Sequence, residues 1–109
     1  MNKNIKMVRG DTLSFGIEYA FDDKSHQDLE TCYFSCKKNF DDTEYIFKKS
    51  IGDGISKVAN NQYRVRVAPE DTEDVEAGNY CYDLEFGLND DVFTIIKGML
   101  TIENDVTRG

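Results

Sequence analysis

Glu76-Ala-Gly-Asn-Tyr-Cys-Tyr-Asp-Leu-Glu-Phe86 is the stretch whose reading decides the fold. Tyr80, Tyr82, Leu84 and Phe86 share one parity, and Asn79, Cys81, Asp83 and Glu85 share the other. A period of two is what a pleated strand with one face on a core produces, whereas a helix would scatter both sets around its axis. Upstream, Pro69-Glu70-Asp71-Thr72 reads as a single turn, and Gly78 lets the chain bend sharply into the strand. The segment is therefore read as a half-buried strand reached through a corner.

Working outward, the same period recurs along the chain. Ile5 to Val8 reads as a short first strand, Arg9-Gly10-Asp11 as a bend, and Thr12 to Tyr19 as a second strand with Leu13, Phe15, Ile17 and Tyr19 on one face. Phe21 to Leu29 is polar and acidic and reads as a loop. Thr31 to Lys38 puts Cys32, Phe34 and Cys36 on one face of a third strand, and Tyr45 to Ile51 is the fourth. Gly52-Asp53-Gly54 reads as a flexible turn. In Gln62 to Val67, Tyr63, Val65 and Val67 face inward while Arg64 and Arg66 face water. Leu88 to Asp91 turns the central strand into a last one, Val92 to Glu103, with Gly98 expected at a bulge. Asn104 to Gly109 is expected to fray.

About seven short strands separated by turn signals, with no helical pattern longer than a turn, predict an all-β chain folded as an antiparallel immunoglobulin-like β-sandwich. In such sandwiches a tyrosine near the start of one strand sends its hydroxyl back to the backbone of the preceding corner, and Glu76-x-Gly78-x-Tyr80 has that shape. The other reading makes Tyr80 an amphipathic core aromatic with its hydroxyl at the rim. Phe15, Ile17, Phe34, Val65, Tyr82 and Leu84 are the expected core, and Gly78, Tyr80, Tyr82 and Leu84 the structural framework of the central strand.

With 109 residues the chain has single-domain size, and 39% apolar and 12% aromatic residues suffice for one core. No stretch approaches the roughly 18 apolar residues of a membrane span, so no membrane partner is expected. Met1 to Val8 lacks the apolar run of a signal peptide, which points to synthesis in the cytoplasm. A net charge of -8, from 21 acidic and 13 basic residues, repels a phosphate backbone, so nucleic acid is not an expected partner. Cys32 and Cys36 on one strand face would stand about 13 Å apart at about 3.3 Å per residue, too far for a disulfide. With Cys81 they read as reduced thiols, and their spacing does not suit zinc.

Residues that invite a chemical reading have ordinary structural ones. Arg9-Gly10-Asp11 matches an integrin-binding tripeptide, yet Gly-Asp between two strands is common turn chemistry. His26 is the one histidine, in a polar loop with no nucleophile or orienting carboxylate at readable spacing. The acidic pairs Asp22-Asp23, Asp41-Asp42 and Asp90-Asp91 and the cluster Glu70 to Glu76 lack the alternation of a calcium loop. No phosphate-binding glycine loop, nucleophile elbow or cofactor motif is present in the sequence, so neither an enzyme nor a cofactor is expected. Binding remains.

Four stretches carry a resemblance: Met7-Val-Arg-Gly-Asp-Thr-Leu-Ser-Phe15, Ala68-Pro-Glu-Asp-Thr72, Ala77-Gly-Asn-Tyr-Cys-Tyr-Asp-Leu-Glu-Phe86 and Lys97-Gly-Met-Leu-Thr-Ile-Glu-Asn-Asp-Val-Thr107. In order and spacing the set resembles the N-terminal domain of phage baseplate upper proteins and similar phage virion domains. The resemblance implies an immunoglobulin-like fold and a non-catalytic structural or accessory part of a phage particle, made in the bacterial cytoplasm and carried in the virion. Its implied partners are other phage structural proteins or further copies of itself. The alternative from another class is a small acidic phage-encoded inhibitor that covers a basic surface of a host protein.

The last strand suggests where a partner docks, because both of its faces are apolar as far as Ile96. Parity assigns Val92, Thr94, Ile96, Leu100 and Ile102 to one face, where Leu100 and Ile102 suit the core, and Phe93, Ile95, Lys97, Met99 and Thr101 to the outer one, provided Gly98 does not shift the pleat. Beside the third strand, Phe93, Ile95 and Met99 join Tyr33 in an expected interaction patch on that outer face. A loop covering that face is the bland alternative.

Overall fold

The structure, a computed structural model, describes residues 2–20 and 27–106. His26 and the pair Asp22-Asp23 lie outside the described residues. Among the described residues eight strands form: β1 (Ile5–Val8), β2 (Leu13–Glu18), β3 (Thr31–Lys37), β4 (Phe47–Ile51), β5 (Gly54–Ala59), β6 (Gln62–Val67), β7 (Gly78–Leu88) and β8 (Asp91–Glu103). They make one mixed sheet in the order β1-β8-β7-β3-β4-β5-β6-β2, rolled until it is nearly a barrel.

The all-β expectation holds, while three of its details change. The sheet is not wholly antiparallel, because β1 runs parallel to β8 and β4 touches β5 in parallel over two residues. The strands number eight, because Gly54 to Ala59 forms a strand where no inward alternation announces one: Ile55 is its single buried residue. Phe15 and Ile17 are half-buried, since β2 ends the sheet and its inner face borders an opening. Phe34, Val65, Tyr82 and Leu84 are buried as read. The expected tail is only partly one: Asp105 is buried, and residues 107–109 lie outside the described set.

The core lies between the half of the sheet made by β1, β8, β7, β3 and β4 and the half made by β5, β6 and β2. Phe34 sits at its centre, with its ring 5.2 Å from Phe15, 5.5 Å from Tyr82 and 5.7 Å from Phe47. The chain turns from one half to the other at Gly52 and Gly54, with φ of 88° and 94°, a region that side chains disfavour. At Gly54 a Cβ would also stand 2.6 Å from the Lys49 Cδ and 2.9 Å from the Arg66 carbonyl.

Two hydrogen bonds fix the corners. Gly10, in the Arg9-Gly10-Asp11 bend, is buried and donates its N–H to the Thr72 hydroxyl at 2.9 Å, so the bend is tied to the β6–β7 connection. The Tyr80 hydroxyl donates to the Glu76 carbonyl oxygen at 2.6 Å, bracing the corner before β7 from within the strand that follows it. Tyr80→Phe keeps the ring and removes this bond, so it is expected to cost about 1 kcal/mol. An unchanged urea midpoint would show that the bond contributes nothing.

Gly98 has a different role from the expected one. The register runs Leu84 to Ile96 and then Glu85 to Thr94, so the extra residue is Ile95 and the bulge lies three positions before the glycine. At Gly98 a Cβ would collide with the Lys3 carbonyl, because the N-terminal segment crosses there, with the Lys3 N–H donating to Lys97 O at 3.0 Å. The Tyr82 hydroxyl donates to the Lys3 carbonyl oxygen and holds the same segment from inside.

Candidate interaction cleft

The Ile95 bulge decides which residues come together. Directly paired residues on antiparallel strands share a face. Phe93 pairs with the buried Phe86 and so turns toward the interior, while Thr94, paired with Glu85, takes the outer position next to Tyr33. The expected patch of Tyr33, Phe93, Ile95 and Met99 is therefore divided. Phe93 and Ile95 line an inner cleft, Tyr33 lies in an outer groove, and Met99 lines a separate depression with Lys38 and Asn79. One inserted residue reverses the facing of everything before it in the strand.

The cleft is the gap between the two ends of the rolled sheet. On one side runs β2, with no strand beyond its outer edge among the described residues; on the other lies β8, which β1 covers at Leu100–Glu103 and Asn2 touches at Lys97. Before Lys97, β8 has no strand on that side among the described residues. At one end the Arg9–Thr12 connection joins β1 to β2 and closes the gap. At the other, the rings of Tyr19 and Phe86 meet edge-on at 5.6 Å, near the β7–β8 turn.

The cavity measures about 680 Å³, within the range of sites that take small molecules or peptide segments. Phe15, Ile17, Phe93, Ile95 and Ile96 form its walls, and Phe34 and Leu84 its floor. Phe93 is 48% exposed and Ile95 38%, high for apolar residues turned toward a core, because no strand among the described residues closes over them. Lys3, Asn4 and Glu18 bring the polar side chains at its margin. Such a lining binds by excluding water, and it sets no nucleophile beside a base.

The outer groove, about 230 Å³, is chemically different. Lys48 Nζ lies 4.4 Å from the centre of the Tyr33 ring and 4.8 Å from that of Tyr45, and Lys37 lies over Tyr45 at 4.8 Å. These cations already sit on aromatic faces, which satisfies the rings without a ligand.

Cys32, Cys36 and Cys81 are free and buried. Burial pushes the Cys32 thiol from its ordinary value of 9.0 up to about 12, and burial, with the nearby Cys81, does the same for Cys36. The reactive thiolate is suppressed, so a thiol reagent is expected to modify the native chain far more slowly than the urea-unfolded one. Both groups keep their protons in the folded state above the pH at which the unfolded chain loses them. Their contribution to stability is therefore complete below about pH 9 and is lost as pH rises from there toward about 12. Urea unfolding at about pH 8 and about pH 10.5 should show this loss, and Cys32→Ala/Cys36→Ala, though less stable at both, should lose less between them.

Among the described residues no group of three or more His, Cys, Asp or Glu side chains is placed to hold a metal ion, and no helix is long and apolar enough to cross a membrane. The bulge and the cleft escaped the sequence reading: a run of apolar residues on both faces of β8 was the one local sign, and it reads equally as an exposed outer patch. No protein-family model and no curated protein matches this chain.

Proposed function

We propose that this chain is a non-catalytic, immunoglobulin-like interaction module of a phage particle, and that it docks a partner protein through the cleft between β2 and β8. The observation that carries the reading is the cleft itself: a large apolar cavity between β2 and β8, with no strand paired to the outer edge of β2 among the described residues, a surface suited to holding another chain.

The order β8-β7-β3 on one half and β2-β6-β5 on the other supports the immunoglobulin-like assignment, since it matches the G-F-C and B-E-D groupings of that sandwich. The bond from Tyr80 to Glu76 at the start of the strand corresponding to F supports it too. Residues of the four stretches resembling phage virion domains do framework work here. Gly10 is tied to Thr72, Tyr80 braces its corner, and Gly98 admits the N-terminal crossing. That pattern supports kinship of fold, and the particle role rests on the resemblance.

Electron microscopy of purified virions labelled with an antibody to this chain tests the role. Decoration at a fixed position on the particle is the expected result. Unlabelled virions, together with stoichiometric capture of a basic host protein by the purified chain, would replace this reading with that of an acidic inhibitor.

A further inference from the structure

The geometry points to an extended peptide segment as the occupant of the cleft, added as a ninth strand against the outer edge of β2, with apolar side chains at alternate positions and a basic residue where it leaves the mouth. The inference rests on the docking role proposed above and names the chemistry of the partner at that site.

The backbone of β2 gives the first reason. Tyr19 donates its N–H to the Asn61 carbonyl at 3.1 Å, in phase with the pairs Ile17–Tyr63, Phe15–Val65 and Leu13–Val67. Alternate residues of an antiparallel strand turn both backbone groups to the same side, so Leu13, Phe15 and Ile17 bond to β6. Ser14, Gly16 and Glu18 therefore point their N–H and C=O groups toward the gap. A lipid or an aromatic metabolite would fill the cavity without using this row of donors and acceptors, whereas an incoming strand pairs with it at the spacing it already has.

Gly16 gives the second. Among the described residues a Cβ there would meet only the Tyr63 carbonyl, at 3.9 Å, so none of them excludes a side chain. A glycine inside a strand weakens it, and one recognised use of the position is the close approach of another backbone. Gly16 stands at the middle of the three outward-pointing residues.

The side chains and charges supply the rest. An added strand presents every second side chain inward, onto Phe15, Ile17, Phe93 and Ile96. Glu18 lines the cleft beside Tyr19 and Leu88. The whole chain carries -8, so a second copy is repelled and a basic flank is favoured.

Gly16→Pro isolates the pairing, since the N–H it removes points into the gap and costs no bond to β6; edge strands tolerate proline in that orientation. The probe is a fluorescent peptide of alternating valine and threonine with lysine at both ends, titrated into the 109-residue chain. It is compared with a glutamate-ended version, with a version N-methylated at alternate backbone nitrogens, and with decanoate. The lysine-ended peptide is expected to bind at least tenfold more tightly than either altered peptide, and Gly16→Pro to weaken it at least tenfold with an unchanged melting temperature. Should the proline variant fail to fold, the N-methylated peptide makes the same comparison from the ligand side. Uptake of decanoate without the peptide, equal binding of the N-methylated peptide, no binding of any probe, or a dimer of the wild-type chain abolished by Gly16→Pro would each overturn the inference. The particle role is read separately: virions that carry the chain while it fails to bind peptide would leave that role standing and remove only the strand.

Discussion

Phe34→Ala is expected to destabilise the chain by about 3–5 kcal/mol, the usual cost of deleting a fully enclosed aromatic ring and leaving a cavity. Phe34 has no exposed surface, and its ring contacts Phe15, Phe47 and Tyr82, which come from β2, β4 and β7. It therefore links both halves of the rolled sheet, and no single neighbour can move in to fill the space it leaves. Because Phe15 is only half-buried beside the open cleft, collapse from that side is the one relaxation available, which places the result toward the lower part of the range. Urea unfolding of wild type and variant measures it. A cost below about 1 kcal/mol would mean that the ring does not bridge the two halves of the sheet as described. Leu84→Ala, on the adjacent strand, should lie between about 2 and 5 kcal/mol for the same reason.

Asp71→Ala is expected to cost about 3 kcal/mol. The Asp71 carboxylate accepts the Ala68 N–H at 2.7 Å and pairs with Lys49 Nζ at 2.7 Å, where the Lys49 side chain is only 11% exposed. Exposed ion pairs contribute little, but this one lies under the β6–β7 connection. Removing the aspartate would leave both an ammonium and a backbone N–H without their partner. Lys49→Met/Asp71→Ala should be markedly more stable than Asp71→Ala alone, because it removes the stranded charge. Equal urea midpoints for the single and double variants would show that Lys49 reaches water once the aspartate is gone.

What could be read from residue order is what depends on neighbours one and two positions apart. The alternation in Tyr80, Tyr82, Leu84 and Phe86, in Cys32, Phe34 and Cys36, and in Tyr63, Val65 and Val67 is a property of a single strand, and those faces are the buried ones. The corner at Tyr80 was also legible, since its hydroxyl bonds to a carbonyl only four residues away. The expected interaction patch failed because it depended on where one extra residue sits in β8, and Gly98 looked like the better place than Ile95. A bulge is set by pairing with the neighbouring strand, and nothing in Asp91 to Glu103 alone marks it.

Sequence alone determined that this chain is all-β, which faces of its central strands are buried, and that Cys32 and Cys36 stand too far apart on one strand to be bridged. Tertiary structure decided that Gly54 to Ala59 is a strand, that β1 lies parallel to β8, that Lys49 meets Asp71, and that the rolled sheet stops short of closing. The physical reason is range. Strand alternation is a local response to one buried face, whereas the register, the bulge and the gap between β2 and β8 come from how distant strands share a core, as with Gly10 and Thr72, which meet across 62 residues of chain.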